Sequence, residues 1–263
     1  GNQHMTEVNV GGTDNVLGLA FELGIPRTIY VSRLVAFAET GSQPCDESYT
    51  RRSPIRTAYE ESKTKAHEIA CQYQKRGLPL VIVCPASVIG ANDHSPFGYF
   101  IRLYVNRLMP PICWSPNRIY CCVEVHDMAE GIALAAEKGR IGETYFLSGD
   151  PQSFRETATD WGKKPGAFIP RIWLPPGLVA ALFAPLEPLQ RKLGLAAFLS
   201  RDTVKSAATN MYYSGEKAQR ELGWTYCSAE EMWDAAIEGE IRLLSKRKNQ
   251  SIIQRLKPLE VTE

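Results

Sequence analysis

The sequence has no long block of one charge. Its 30 Lys and Arg stand against 29 Asp and Glu, a formal net charge of +1 over 263 residues. So even a balance offers no handle for nucleic acid, and Lys246-Arg247-Lys248 reads as a solvated helix end. CxxC pairs are also absent. The seven cysteines have no histidine at metal-ligand spacing, which argues against a zinc site. Cys84, Cys121 and Cys122 lie in apolar, strand-like runs, where a thiol behaves as a small hydrophobe. The expectation is a reduced, cytoplasmic protein. Gly1-Asn2-Gln3-His4-Met5 carries no signal-peptide core. The apolar segment Ile172 to Phe198 is broken by Pro175, Pro176, Gly177, Pro185 and Pro188. A membrane span needs about 20 unbroken apolar residues, so membrane association is not favoured; a core helix pair or a lid is the expectation, and an interfacial patch stays open. No internal repeat stands out.

What is present is a core-forming composition, 44% hydrophobic, in a chain long enough to bury a substantial interior. At its centre stands Tyr59-Glu60-Glu61-Ser62-Lys63. On a helix a Tyr and a Lys four apart project from one face. A neighbouring ammonium favours the phenolate, which brings a Tyr nearer the range useful for proton transfer. A Tyr–Lys pair on a solvated face is the plainer reading of the same spacing.

In chain order, residues 5–24 read as a helix stopped by Gly24, and Thr28 to Ser32 as a short buried strand. Residues 38–56 are turn-rich. A helix follows from Thr57 to Arg76, then an apolar strand from Leu78 ending at Cys84-Pro85. Strand, helix and strand make a βαβ unit, with parallel strands buried on both faces. Pro96 to Leu108 is a helix candidate, Ile119 to Val125 a strand, and Asp127 to Lys138 a helix with Asp127 as its N-cap. Thr144 to Leu147 is a further strand, and Gly215 to Leu222 and Ala229 to Leu244 are two more helices.

This ordered set resembles the extended branch of the short-chain dehydrogenase/reductase superfamily, the NAD(P)-dependent epimerase/dehydratase and dihydroflavonol-reductase-like proteins. Asn9-Val10-Gly11-Gly12-Thr13-Asp14-Asn15-Val16-Leu17 looks like that family's N-V-x-G-T-x-N-x-L helix, and Tyr30-Val31-Ser32 like its catalytic-serine strand. Tyr59 and Lys63 match its active-site pair, and Cys84-Pro85-Ala86-Ser87-Val88-Ile89-Gly90 its R-P-x-x-V-x-G segment. Val125-His126-Asp127-Met128-Ala129 and Lys217 to Trp224 match later signatures. Each motif is weak; the set in order is strong.

The resemblance implies an α/β fold: a partial Rossmann-like, doubly wound parallel sheet over residues 1–150, and a smaller, mostly helical substrate-binding region over 151–263. It implies NAD or NADP as cofactor, held by Lys63 and by Pro85, Ala86, Ser87 and Val88. Tyr59 would be the acid–base residue, with Lys63 and Ser32 or Arg33 beside it. The substrate would be a small, partly hydrophobic molecule with a hydroxyl or carbonyl, the segment 172–198 its lid. A homodimer would form through the helices at 5–24 and 57–76.

Two departures qualify this. No strand, G-x-x-G-x-x-G turn and helix for the pyrophosphate occurs, and Gly11-Gly12 lies inside a helix pattern. The expectation is therefore a chain starting about a quarter of the way into the family's sequence, lacking the first four strands and binding cofactor weakly. The second departure is Arg33, which falls where the family has its catalytic Ser/Thr, one residue past Ser32. Arg33 could donate to a substrate oxygen, or it could be solvated and the site impaired. Cys84 replaces a usual Arg, and Glu124 and His126 exchange the places of a usual His and acid; His126 reads as a helix-start hydrogen-bonder. His4, His67 and His94 read as surface residues. The alternative function is a non-catalytic remnant acting as an interaction protein, or a gene-model fragment.

Overall fold

A computed structural model describes residues 2–163, 170–193, 204, 208–247 and 249–259. The chain divides into two units, each assembled from three stretches: Gly1–Val88, Cys121–Pro151 and Asn210–Cys227 in the first, Ile89–Tyr120, Gln152–Thr209 and Ser228–Glu263 in the second.

The first unit is built around the strand Leu80–Pro85, every residue of which is buried. So apolar a strand needs neighbours on both edges and cover on both faces. Thr28–Val31 pairs with it in parallel from Thr28↔Leu80 to Val31↔Val83. Thr144–Leu147 takes the other edge from Ile82↔Thr144 to Pro85↔Leu147. Helix Ala58–Lys75 makes the crossover between the first two strands. Helix Val125–Lys138 precedes the third, and a Cβ on Gly139 at its end would meet Val81. Cys84, three residues beyond Val81, turns to the opposite face, where Ser32 hydrogen-bonds its thiol. This is the expected α/β class, a doubly wound parallel sheet.

Boundaries follow local chemistry. Thr57 accepts the N–H of Glu60 at 3.1 Å and so starts the Tyr59 helix one residue later than the spacing suggests. One expectation is corrected: Asp127 is not the N-cap of its helix. Glu124 is, accepting the N–H groups of His126 and Asp127, while Asp127 Oδ2 accepts the N–H of Cys227 at 2.8 Å. The first helical stretch is not uniform either. A π-turn, Glu7–Gly11, separates Asn2–Thr6 from Gly12–Glu22.

The second unit is mostly helical: Pro96–Val105, Phe154–Gly162, Pro176–Phe183, Glu187–Lys192, Ala229–Ser245 and Ile252–Leu256. Ile112–Trp114 pairs in parallel with Ile172–Leu174. The prolines of 172–193 split that segment into a strand, two helices and a 3₁₀ turn; residues 194–198 of the expected lid lie outside the described residues. Arg102 and Glu240, both almost wholly buried, meet at 3.2 Å.

Candidate active site

Parallel α/β sheets place ligands beyond the carboxyl ends of their strands. Ser32 lies there, its N–H donating to Val83 O at 2.8 Å, and Ala86 lies there too, its N–H donating to Leu147 O at 2.9 Å. Ser32-Arg33 and Pro85-Ala86-Ser87-Val88 thus occupy the same end of adjacent strands. Ala86 is buried; Ser87 and Val88 are half-buried.

The Tyr59 helix supplies the rest. Its first turn is anchored from outside: Glu60 is buried, pairs with Arg51 and accepts the N–H of Arg56 at 2.8 Å. Arg51 also reaches Thr64 Oγ1 at 2.6 Å. Tyr59 stays 40% exposed. Lys63 Nζ stands 5.9 Å from the centre of the Tyr59 ring and donates to Asn9 Oδ1 at 3.0 Å. Asn9 Nδ2 donates to Ser62 Oγ at 3.1 Å, and Ser62 Oγ to the Tyr59 carbonyl at 2.8 Å. Asn9 thus bridges Lys63 and Ser62, and Ser62 in turn holds the Tyr59 backbone carbonyl. Asn9 falls within the π-turn, a form frequent at functional sites.

Lys63 has its pKa lowered, first by burial and then by the charge of Arg33. Among the described residues no carboxylate pairs with Lys63, and Arg33 makes no side-chain hydrogen bond or ion pair. An ammonium so placed has two further N–H donors for hydroxyl oxygens of a ligand. Ser32 has a partner of its own. Its Oγ lies 2.9 Å from His67 Nδ1, and His67 Nε2 lies 3.5 Å from Cys71 Sγ. Among the described residues no hydrogen bond joins Ser32 to Tyr59.

His67 is therefore not a surface residue, as its lack of a partner pattern suggested. Burial pushes its pKa down to about 4, and Phe37 meets its ring edge-on at 4.8 Å. Its spacing carried the missed signal: Tyr59, Lys63, His67 and Cys71 recur every four residues along one face. Asn9 had no such signal outside its motif. Cys84 is fully buried with its thiol pKa pushed far up, which makes it inert packing. His126 is exposed and 2.9 Å from Glu124 Oε1, which raises its pKa. Among the described residues no cluster of three His, Cys, Asp or Glu could hold a metal.

Residues 2–147 match the sequence model of the NAD dependent epimerase/dehydratase family. A Synechocystis protein named after dihydroflavonol 4-reductase is 32% identical over 225 residues, covering 82% of this chain and 64% of its own length. Mouse short-chain dehydrogenase/reductase family 42E member 1 is 28% identical over 243 residues, covering 83% of this chain and 61% of its own. The chain thus spans under two thirds of the length of these relatives. The crystal structure of gox2253 superposes with a TM-score of 0.73 at 28% identity, over 92% of this chain and 74% of that one.

Proposed function

The chain belongs to the NAD dependent epimerase/dehydratase family, and on that premise we propose that its first unit is a hydride-transfer site acting on a hydroxyl or carbonyl of a partly hydrophobic small molecule. The observation that carries this is Lys63, held by Asn9 and 5.9 Å from the centre of the Tyr59 ring, beside two parallel strand ends. Tyr59 moves the proton of the reacting oxygen, in the direction set by whether the substrate is reduced or oxidised. Lys63, held by Asn9, binds the nicotinamide ribose and places its charge near the phenol. Pro85, Ala86, Ser87 and Val88 line the nicotinamide face. A nicotinamide dinucleotide, NAD or NADP, supplies or accepts the hydride. Arg33, which falls where the family has its catalytic hydroxyl, donates to the substrate oxygen.

The residues fit the nicotinamide end of the cofactor only. No glycine turn for the pyrophosphate stands in these 263 residues, so binding by them alone is weak. A homodimer through the helices at 5–24 and 57–76 is part of the same reading: Val8, Val16, Leu19 and Leu23 are exposed along the first of them. The engagement of Ser32 with His67 also favours a second reading, a non-catalytic interaction protein. NADH fluorescence titration separates the two: the catalytic reading expects weak, saturable binding that Lys63→Met abolishes and Tyr59→Phe leaves intact. Equal signals from parent and Lys63→Met would rule it out.

A further inference from the structure

The segment from Ile172 to Leu189 contains a single charged residue, Glu187, in eighteen. Such a stretch ordinarily disappears into a core, yet of its described side chains only Val179 is buried. Leu178, Leu182, Leu186 and Leu189 are 44–54% exposed, and Ile172 is 49% exposed. Leu178 and Leu182 lie one turn apart on one side of helix Pro176–Phe183, and Leu186 and Leu189 continue the exposed apolar series through the 3₁₀ turn and helix Glu187–Lys192. Pro175, Gly177, Ala181, Pro185 and Pro188 between them are exposed and uncharged as well.

The sequence around this stripe is basic. Lys163 pairs with Asp160; leaving it aside, residues 164–193 carry Lys164, Arg171, Arg191 and Lys192 against Glu187 alone. Arg171 and Lys192 are exposed, and the Arg155 guanidinium stacks over Trp173 at 5.1 Å. An exposed apolar series flanked in sequence by cations and an indole complements an anionic lipid surface: leucines in the acyl boundary, Lys and Arg among the headgroups. Among the described residues no helix is long and apolar enough to cross a membrane, so the segment would lie on the surface.

We propose that Ile172–Lys192 is a peripheral membrane-docking surface that binds anionic phospholipid bilayers through Leu178, Leu182, Leu186 and Leu189. This does not rest on the hydride-transfer reading. The test is co-sedimentation of the full chain with phosphatidylserine/phosphatidylcholine vesicles and with pure phosphatidylcholine vesicles, with light scattering on each protein. The parent is expected on the anionic vesicles and off the neutral ones, releasing as salt is raised. Leu182→Glu/Leu186→Glu should lower the bound fraction roughly tenfold at an unchanged melting temperature. Arg171→Glu/Lys192→Glu, which leaves the leucines in place, should also weaken binding. A parent that pellets with neither vesicle overturns the proposal, as does undiminished binding by the leucine variant. An oligomer that the leucine variant dissolves, with no vesicle binding by the parent, would make the stripe an interface between copies instead.

Discussion

Ser32 Oγ and His67 Nδ1 stand 2.9 Å apart, tying the end of a central strand to the third turn of the Tyr59 helix. The bond engages one side of the serine hydroxyl, and His67 is a neutral, half-buried ring. Its pKa is lowered to about 4 because burial penalises the imidazolium.

A stability dependence on pH follows. Between about pH 4 and 6.5 the unfolded chain binds a proton at His67 and the folded chain does not. Stability from this group is full above 6.5 and is lost as pH falls toward 4, on the order of 3 kcal/mol in all. Urea midpoints measured at pH 7 and pH 4.5 should drop more for the parent than for His67→Gln. Equal drops would show that His67 titrates as an ordinary exposed histidine.

Arg33 depresses Lys63 alongside burial, so removing its charge should move the ammonium's titration upward. In ¹³C NMR of the lysine ε-carbons, Arg33→Gln should shift the Lys63 midpoint to higher pH. An unmoved midpoint would mean that Arg33 points away from Lys63.

The Arg102–Glu240 pair in the second unit is nearly dry, with Arg102 Nε donating to Leu256 O at 3.0 Å and Glu240 accepting the Asn92 N–H at 2.8 Å. Truncating one partner strands the other charge. Arg102→Met should cost about 3 kcal/mol, and Arg102→Met/Glu240→Gln less than that single change. Chemical denaturation of the two variants checks the order; a double variant less stable than the single would contradict it.

If two copies associate through the first helical stretch, its exposed face is the place to break them. Leu19→Glu, at a position 56% exposed, should leave the fold intact and convert a dimeric mass to a monomeric one in light scattering. A parent that is already monomeric at micromolar concentration would remove the dimer from the account.

Much of the fold was legible because the residues that build it act locally. The apolar run from Leu78 to Cys84-Pro85 reads as a strand buried on both faces, which the structure starts at Leu80, and Gly77 and Gly139 stop their helices where expected. Helix Phe154–Gly162 went unread although Ser153 and Glu156 form a capping box, a pattern visible in sequence. The Tyr59–Lys63 spacing was legible for the same local reason. What closes the site was not: Asn9 reaches Lys63 across 54 positions and Ser32 reaches His67 across 35, and no spacing rule spans such gaps. The N-cap at Glu124 was missed because Asp127 looks the better cap until its partner, the Cys227 N–H, arrives from 100 residues away.

The central claim is that Tyr59 transfers the proton at a site organised by Lys63 and Asn9. It is tested most directly by NADPH- and NADH-dependent turnover of a panel of apolar ketones by parent and Tyr59→Phe. The account predicts that Tyr59→Phe loses at least about a hundredfold in kcat at an unchanged melting temperature. Turnover at the parent rate by Tyr59→Phe would contradict it.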